Sequence, residues 1–339
     1  MRPETWIALD GGTTNTRASL VREGRIETTV KAAAGVRDTQ GASINPVKEA
    51  VVSCVTQLLE RHCDSSDTVR IVASGMLGSE AGLTNVRHVA APATAADLAR
   101  GSVVWTDQRL AGFPLRILPG VITGRSPDAS LSWESSMSMD IMRGEETQVW
   151  GIRERLEKTA PEIVTRPWLL LWPGSHTKLI AVEADGTILG SYTTLAGETY
   201  AALKSGTLLS RSVSETPVDR IDDTILETAA HEVRKHGLLR AAFWTRIADV
   251  TGSLDQSGRS AWLSAIVTAE DVETLLRHKW LSEERFGTLL VGGEGGRQKA
   301  YVKLTTARIG ERAKALDNAI SDEAAALGAV RLGKIAEAG

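Results

Sequence analysis

The chain has 339 residues, 42% of them apolar and 24% charged, with 39 Lys and Arg against 42 Asp and Glu. That length accommodates two domains of ordinary size, and the balance is that of a folded chain rather than a disordered one. A formal charge of −3 supplies no basic footprint for nucleic acid or an anionic membrane. No run of about 18 apolar residues marks a membrane span, and no leader-like segment precedes the first apolar run at Trp6. Cys54 and Cys63 are too few for a disulfide framework or a four-ligand zinc site, and the six histidines form no H-x-H or H-x-x-x-H pair. The expectation is a cytoplasmic protein that uses neither nucleic acid nor membrane. Oligomeric state is left open, a homodimer included.

In chain order, residues 6–9 read as a buried strand ending at Asp10, followed by the polar turn Gly11-Gly12-Thr13-Thr14-Asn15-Thr16 and a second strand over 17–21. Glu23-Gly24 is a hairpin turn, and residues 25–30 form a third strand. A helix follows over 46–62, with Asn45 as N-cap and Pro46 at the first helical position. Residues 70–74 read as a buried strand. The pattern then returns: an apolar run over 169–172, the turn Pro173-Gly174-Ser175-His176-Thr177, a strand over 178–182, the turn Asp185-Gly186 and a strand over 187–194. A shift of 162 residues, without a gap, places Gly12 on Gly174, Thr13 on Ser175 and Gly24 on Gly186. A duplicated unit explains this better than chance. Further helices are predicted over 222–236, 239–250, 260–267, 271–279 and 317–332. The apolar run 289–291, ending in Gly292-Gly293-Glu294-Gly295-Gly296, is a third strand-to-glycine junction.

A phosphate binds best where several backbone N–H groups converge and no Cβ obstructs the approach, with Ser or Thr hydroxyls as further donors. A lone Gly-Thr turn is more often just a hairpin, but two such loops in related domains can grip a triphosphate, with Lys178 to help neutralise it. The chain contains neither G-x-x-x-x-G-K-[ST] nor a G-x-G-x-x-G after the first strand, which removes the main support for P-loop and Rossmann readings. Asp10, at the carboxyl end of the first strand, is placed to hold a hydrated Mg²⁺ through water; the plainer alternative is a cap of the turn. Between the loops, Asp140, Arg143, Glu145 and Glu146 crowd around Gly144. Phosphoryl transfer to an alcohol needs a base within reach of the hydroxyl, and an arginine can hold a carboxylate. Asp140 and Glu145 are the base candidates, set against an ordinary solvated helix start.

Together these stretches resemble the actin-like ATPase superfamily that includes sugar kinases, and more narrowly the 2-dehydro-3-deoxygalactonokinases. The likeness is carried by residues 9–17, Ser74-Gly75-Met76-Leu77-Gly78-Ser79, residues 140–148, Pro173-Gly174-Ser175-His176-Thr177-Lys178, Gly197-Glu198 and residues 263–270. The resemblance implies an α/β fold of two ribonuclease H-like domains, each a mixed sheet flanked by helices, with an active-site cleft between them. The first lobe is expected over 1–143, with the C-terminal helix 317–339 packing back on it, and the second over 144–316. It also implies phosphorylation of 2-dehydro-3-deoxy-galactonate at its terminal hydroxyl by Mg·ATP, a step of galactonate breakdown. The phosphate loops would be Asp10 to Thr16 (Gly11, Gly12, Thr13, Thr14 and Asn15 among them) and Gly174 to Lys178 (Ser175, His176 and Thr177 between), with Gly292 and Gly293 by the adenosine. Arg143, His176 and Lys178 become candidates for the acceptor's carboxylate or the migrating phosphoryl group. The Gly-Glu-Glu run is similar to the segment bearing the catalytic glutamate in the exopolyphosphatase branch, which favours Glu145 over Asp140.

Three positions depart from the family pattern. Gly11 stands where an aromatic residue is expected, Trp172 where a smaller apolar one is usual, and residues 292–296 are unusually glycine-rich. Type III pantothenate kinases share a Gly-x-Thr-Asn-Thr loop but would not account for Met-Arg-Gly-Glu-Glu. A nucleotide-gated chaperone or filament module would need long insertions, and a repressor of this superfamily would need a DNA-binding helix-turn-helix ahead of Trp6.

Overall fold

The computed structural model describes residues 4–39, 44–64, 67–110, 112–124 and 132–338; Gly339, the end of the expected C-terminal helix, lies outside them. The elements run β1 (Thr5–Gly11), β2 (Thr16–Arg22), β3 (Arg25–Ala32), α1 (Pro46–His62), β4 (Val69–Gly75), β5 (Val89–Ala90), α2 (Ala95–Arg100), β6 (Val103–Trp105), β7 (Leu115–Ile117) and β8 (Val121–Thr123). They continue through α3 (Trp133–Ser136), β9 (Asp140–Met142), α4 (Glu145–Thr159), α5 (Pro161–Val164), β10 (Trp168–Trp172), β11 (Thr177–Val182), β12 (Ile188–Thr194) and α6 (Ala196–Gly206). The chain closes with α7 (Asp223–Thr251), α8 (Gln256–Leu276), α9 (Lys279–Ser282), β13 (Thr288–Val291), α10 (Gly295–Ile309), β14 (Ala313–Ala315) and α11 (Asn318–Ala338).

The chain divides into two compact units. Unit 1 holds residues 1–165, 182–191 and 319–339, and unit 2 holds 166–181 and 192–318. The expected boundary after residue 143 and the observed division differ by α4 and α5; α4 is the longer of the two. That helix belongs to unit 1, where it crosses α11 so closely that a Cβ on Gly151 would strike the Ala324 backbone and one on Gly328 would strike the Thr147 carbonyl. The tip of the β11–β12 hairpin also clusters with unit 1, where Ala93 and Ile188 form a β-bridge.

In unit 1 the main sheet has the order β3-β2-β1-β4-β7-β6. The meander β1-β2-β3 is antiparallel and β1, β4 and β7 are parallel. The main sheet of unit 2 has the order β12-β11-β10-β13-β14, with β10, β13 and β14 parallel. Apart from β6, an antiparallel edge strand added beside β7 in unit 1, both sheets follow the same order, 3-2-1-4-5, with the polar glycine turn between their first two strands, which is the duplication expected from the sequence.

Helix α1 begins as its capping residues dictate: the Asn45 side chain accepts from Val47 N and Lys48 N at 3.0 and 3.2 Å, and Pro46 occupies the first position. Its apolar stripe, Val47, Val51, Cys54, Val55 and Leu58, enters the core with Ile7, Leu9, Leu20 and Ile71. One sequence expectation is corrected: residues 260–267 and 271–279 are not separate helices, since residues 268–270 contain no breaker and α8 runs through them. The helices expected over 222–236 and 239–250 are the two halves of α7, which Gly237 separates with a non-helical backbone (φ 76°, ψ 162°). The accessory sheet β5-β8-β9 was not predicted, because strands of two or three residues are too short to show a period. No helix among the described residues is long and apolar enough to cross a membrane.

Candidate active site

In unit 1, Asp10 and Gly11 close β1 beside Ser74 and Gly75 of the parallel β4. Gly75 has φ 68° and ψ −148°, a conformation open essentially only to glycine. A Cβ there would lie 2.5 Å from the Gly11 carbonyl oxygen and 3.1 Å from Asp10 Oδ1. Gly144, with φ 117°, sits on the same spot: its missing Cβ would be 3.2 Å from Gly75 Cα. The end of β1, the end of β4 and the start of α4 thus converge, and the Gly144 turn comes to the strand end that carries Asp10 even though more than a hundred residues separate them in sequence.

The turn after Asp10 is closed by Gly12 N donating to Asn15 O at 2.8 Å, with Val36 N on Gly12 O and Arg37 N on Thr13 O. Thr14 and Asn15 are exposed, and Gly12 and Thr13 are half-buried. Gly11 is different, because a Cβ there would press on Leu77 at 2.5 Å. Leu77 therefore fills the space that an aromatic residue at position 11 would need.

The members of the acid cluster have distinct surroundings. Asp140 opens the strand β9, opposite Thr123. Glu145 Oε2 accepts from Arg143 N at 3.1 Å. The Arg143 guanidinium donates to the Val86 carbonyl at 2.7 Å and lies 3.2 to 3.3 Å from the two ring nitrogens of His88. Burial and that guanidinium together hold the His88 pKa down at about 4.

Glu146, which the sequence reading passed over, is fully buried. Both its oxygens accept from Gly144 N, at 2.9 and 2.8 Å, so the carboxyl fixes the turn that rests on Gly75. Burial, and secondarily the charge of Glu145, push its pKa up to about 8. A carboxyl raised above its ordinary value of 4.5 keeps its proton in the folded state where the unfolded chain has lost it. The metal-free protein should therefore lose stability, on the order of a few kcal/mol in total, as the pH rises from about 4.5 to about 8. Glu146→Gln, which cannot ionise, should flatten that slope; denaturant titrations in EDTA at pH 5 and pH 8 measure it. An unchanged pH dependence would show that Glu146 does not titrate in this range.

In unit 2 the second turn lies between β10 and β11. Ser175 is exposed, Gly174 and His176 are half-buried, and Thr177 and Lys178 are buried. The start of α6 rests on this turn: Glu198 N donates to Ser175 O at 3.1 Å, and a Cβ on Gly197 would strike the Gly174 carbonyl. His176 Nε2 is 3.2 Å from Glu198 Oε1, and Lys178 Nζ donates to Thr193 Oγ1 at 2.9 Å.

Gly292 accepts the ring of Trp172 where its own Cβ would be, which accounts for two of the departures from the family pattern at once. Gly293 has φ 86° with open space around it, and α10 starts two residues later. At that helix start lies a pocket of about 450 Å³ lined by Asp219, Arg220, Gly295, Gly296, Lys299 and Lys303 among others. This falls in the range of small-molecule sites. No group of three or more His, Cys, Asp or Glu residues is arranged to hold a metal among the described residues. Asp10 is a single half-buried carboxylate, a donor set that suits a cation held for the rest by water and phosphate oxygens, as Mg²⁺ is.

Two units with one sheet order, each carrying a polar glycine turn between its first two strands, define a protein of the duplicated actin-like ATPase class. Residues 10–332 match the family described as 2-keto-3-deoxy-galactonokinase. The chain belongs to that family of phosphotransferases. It is 24% identical to the 2-dehydro-3-deoxygalactonokinase of Escherichia coli (strain K12) over 293 residues, 85% of each chain. It is 23% identical to a Rhizobium meliloti (strain 1021) protein assigned as a 2-dehydro-3-deoxygalactonokinase over 235 residues, 69% of this chain and 67% of that one. The crystal structure of a Sinorhizobium meliloti protein assigned to the same activity superposes with a TM-score of 0.73 at 21% identity, covering 97% of this chain and 98% of the other. That likeness is one of fold.

Proposed function

We propose that this protein is an ATP-dependent kinase of the cytoplasm that phosphorylates the terminal hydroxyl of 2-dehydro-3-deoxy-galactonate, giving the 6-phosphate in galactonate breakdown. Within a chain of this family, the observation that carries the proposal furthest is the seating of the Gly144-Glu145 turn on Gly75, beside Asp10. It puts a base candidate next to a cation-binding candidate in unit 1.

On this proposal the 11–15 and 174–178 turns bind the phosphates of ATP through their backbone N–H groups and the hydroxyls of Thr13, Thr14 and Ser175. Lys178 and His176 supply positive charge and hydrogen bonds toward the phosphoryl group or the acceptor's carboxylate. Asp10 holds hydrated Mg²⁺, which when bound draws charge from the phosphates. The nucleoside lies by Gly292 and Gly293, in the pocket at the start of α10. Glu145 takes the proton of the acceptor hydroxyl as that oxygen bonds to the γ-phosphorus and the bond to the departing ADP oxygen breaks. Glu145 is favoured over Asp140 because it adjoins the glycine that touches Gly75. Glu146 is sealed from solvent and acts behind the turn. Arg143, whose guanidinium donates to the Val86 carbonyl, is the weaker candidate for the acceptor.

The experiment is a coupled ADP assay on a panel of 2-keto-3-deoxy sugar acids and pantothenate. Saturable ADP release should require a 2-keto-3-deoxy sugar acid, and Glu145→Gln should lower kcat about 100-fold while Asp140→Asn changes it by less than about fivefold. Rapid ATP turnover without any acceptor would overturn the kinase reading. The reverse ranking of the two variants would move the base to Asp140.

A further inference from the structure

The second glycine turn is tied from behind by a buried polar network that no motif announces. Asp271, on α8, is 4% exposed and Tyr301, on α10, is 3% exposed. One Asp271 carboxylate oxygen accepts from the Thr194 hydroxyl and the other from the Tyr301 hydroxyl. The Tyr301 hydroxyl is also 3.3 Å from Thr177 Oγ1. Four elements of unit 2 meet here: the first residue of β11, the last of β12, and one turn each of α8 and α10. The Tyr301 side chain also borders a small polar pocket against Gly174, Gly197 and Arg297.

A carboxylate taken from water is expensive unless it is hydrogen-bonded, and burial does raise the Asp271 pKa, the hydroxyl donors partly countering it. Apolar packing between α8 and α10 would stabilise the unit more simply. Hydroxyl donors to a charged acceptor do something apolar packing does not, since they fix direction as well as distance. The directions fixed here are those of Thr177 and Thr194, which bound the segment carrying Lys178 and its partner Thr193.

We propose that Asp271 and Tyr301 are positioning residues for the nucleotide, holding Thr177 and with it the Pro173–Lys178 turn in the one geometry that receives the phosphates. This deepens the kinase proposal and rests on it.

The test is calorimetric measurement of Mg·ADP affinity, which needs no acceptor, together with the KM values for ATP and for the sugar acid. Tyr301→Phe removes one hydroxyl and keeps the ring; Thr177→Val removes the other at constant shape. Each should weaken Mg·ADP binding about tenfold and raise the KM for ATP in parallel, while the KM for the sugar acid stays within about twofold. The double variant should be no worse than either single one, because both cut the same link. Asp271→Asn, which keeps one acceptor oxygen, should fall between wild type and Asp271→Ala. Wild-type affinity in both single variants, strictly additive losses in the double, or an equal rise in both KM values would overturn the positioning role and leave the kinase reading intact. A wild-type protein that binds no nucleotide would overturn both.

Discussion

Asp10→Asn should lower kcat by about three orders of magnitude or more, while the metal-free protein melts no lower than wild type. The two halves of this expectation have one cause. Asp10 is half-buried at the end of β1, and the loss of solvent around its carboxyl raises its pKa, with Arg17 pulling part of the way back. A carboxyl raised above its ordinary value of 3.8 is protonated in both states at low pH. As the pH climbs, the unfolded chain gives up the proton first, so the metal-free fold loses stability. An amide of the same shape does not ionise and escapes that loss. With Mg·ADP present the order reverses: wild type is stabilised by ligand binding, and the variant, lacking the cation's protein anchor, gains much less. Coupled ADP assays, and thermal melts in EDTA and in Mg·ADP between pH 5 and pH 8, measure both halves. Wild-type turnover in Asp10→Asn would remove Asp10 from the cation site.

Gly75→Ala should destabilise the protein by about 3 kcal/mol or more and reduce kcat/KM about 100-fold in whatever folds. The new methyl would face the Gly11 carbonyl oxygen at 2.5 Å and Asp10 Oδ1 at 3.1 Å. Neither can retreat freely, because Gly11 is locked in register with both β2 and β4 and the Gly144 turn lies so close to Gly75 that even a Cβ on Gly144 would crowd it. Gly310 is a built-in control. It has nearly the same backbone conformation, φ 65° and ψ −149°, but nothing lies within 4 Å of a Cβ there. Gly310→Ala should thus carry the backbone strain alone, about 1–3 kcal/mol, and retain activity. Urea unfolding and kcat/KM of the pair separate strain from steric displacement of the site. Equal effects at the two positions would show that the contact between Gly75 and Asp10 is unimportant.

Much of the architecture was legible in residue order because its signals are local. A cap such as Asn45-Pro46 acts within one helical turn, a Gly-Thr turn between two apolar runs specifies a hairpin by itself, and a pattern repeated at one fixed shift betrays two copies of one sheet. The candidate loops at residues 11–16 and 173–178 were legible for the same reason, and so was the family, whose motifs are contiguous.

What lay beyond the sequence depends on partners far apart in the chain. Nothing in the pair Glu145-Glu146 says which carboxyl is sealed inside; packing around the Gly144 turn decides it, burying Glu146 completely. Gly75 looks like any strand-ending glycine until β4 lies beside β1 and α4 begins on top of it. Trp172 and Gly292 look like unrelated oddities until the parallel pairing of β10 and β13 fits the ring of one into the missing side chain of the other. Asp271 and Tyr301, thirty residues apart on two helices, carry no motif at all. Local conformational preference acts over a few residues, so it could specify the turns and helices of this chain. Which side chains are buried together is a property of the folded whole, and only the tertiary structure could assign Glu146, Gly75, Asp271 and Tyr301 their places.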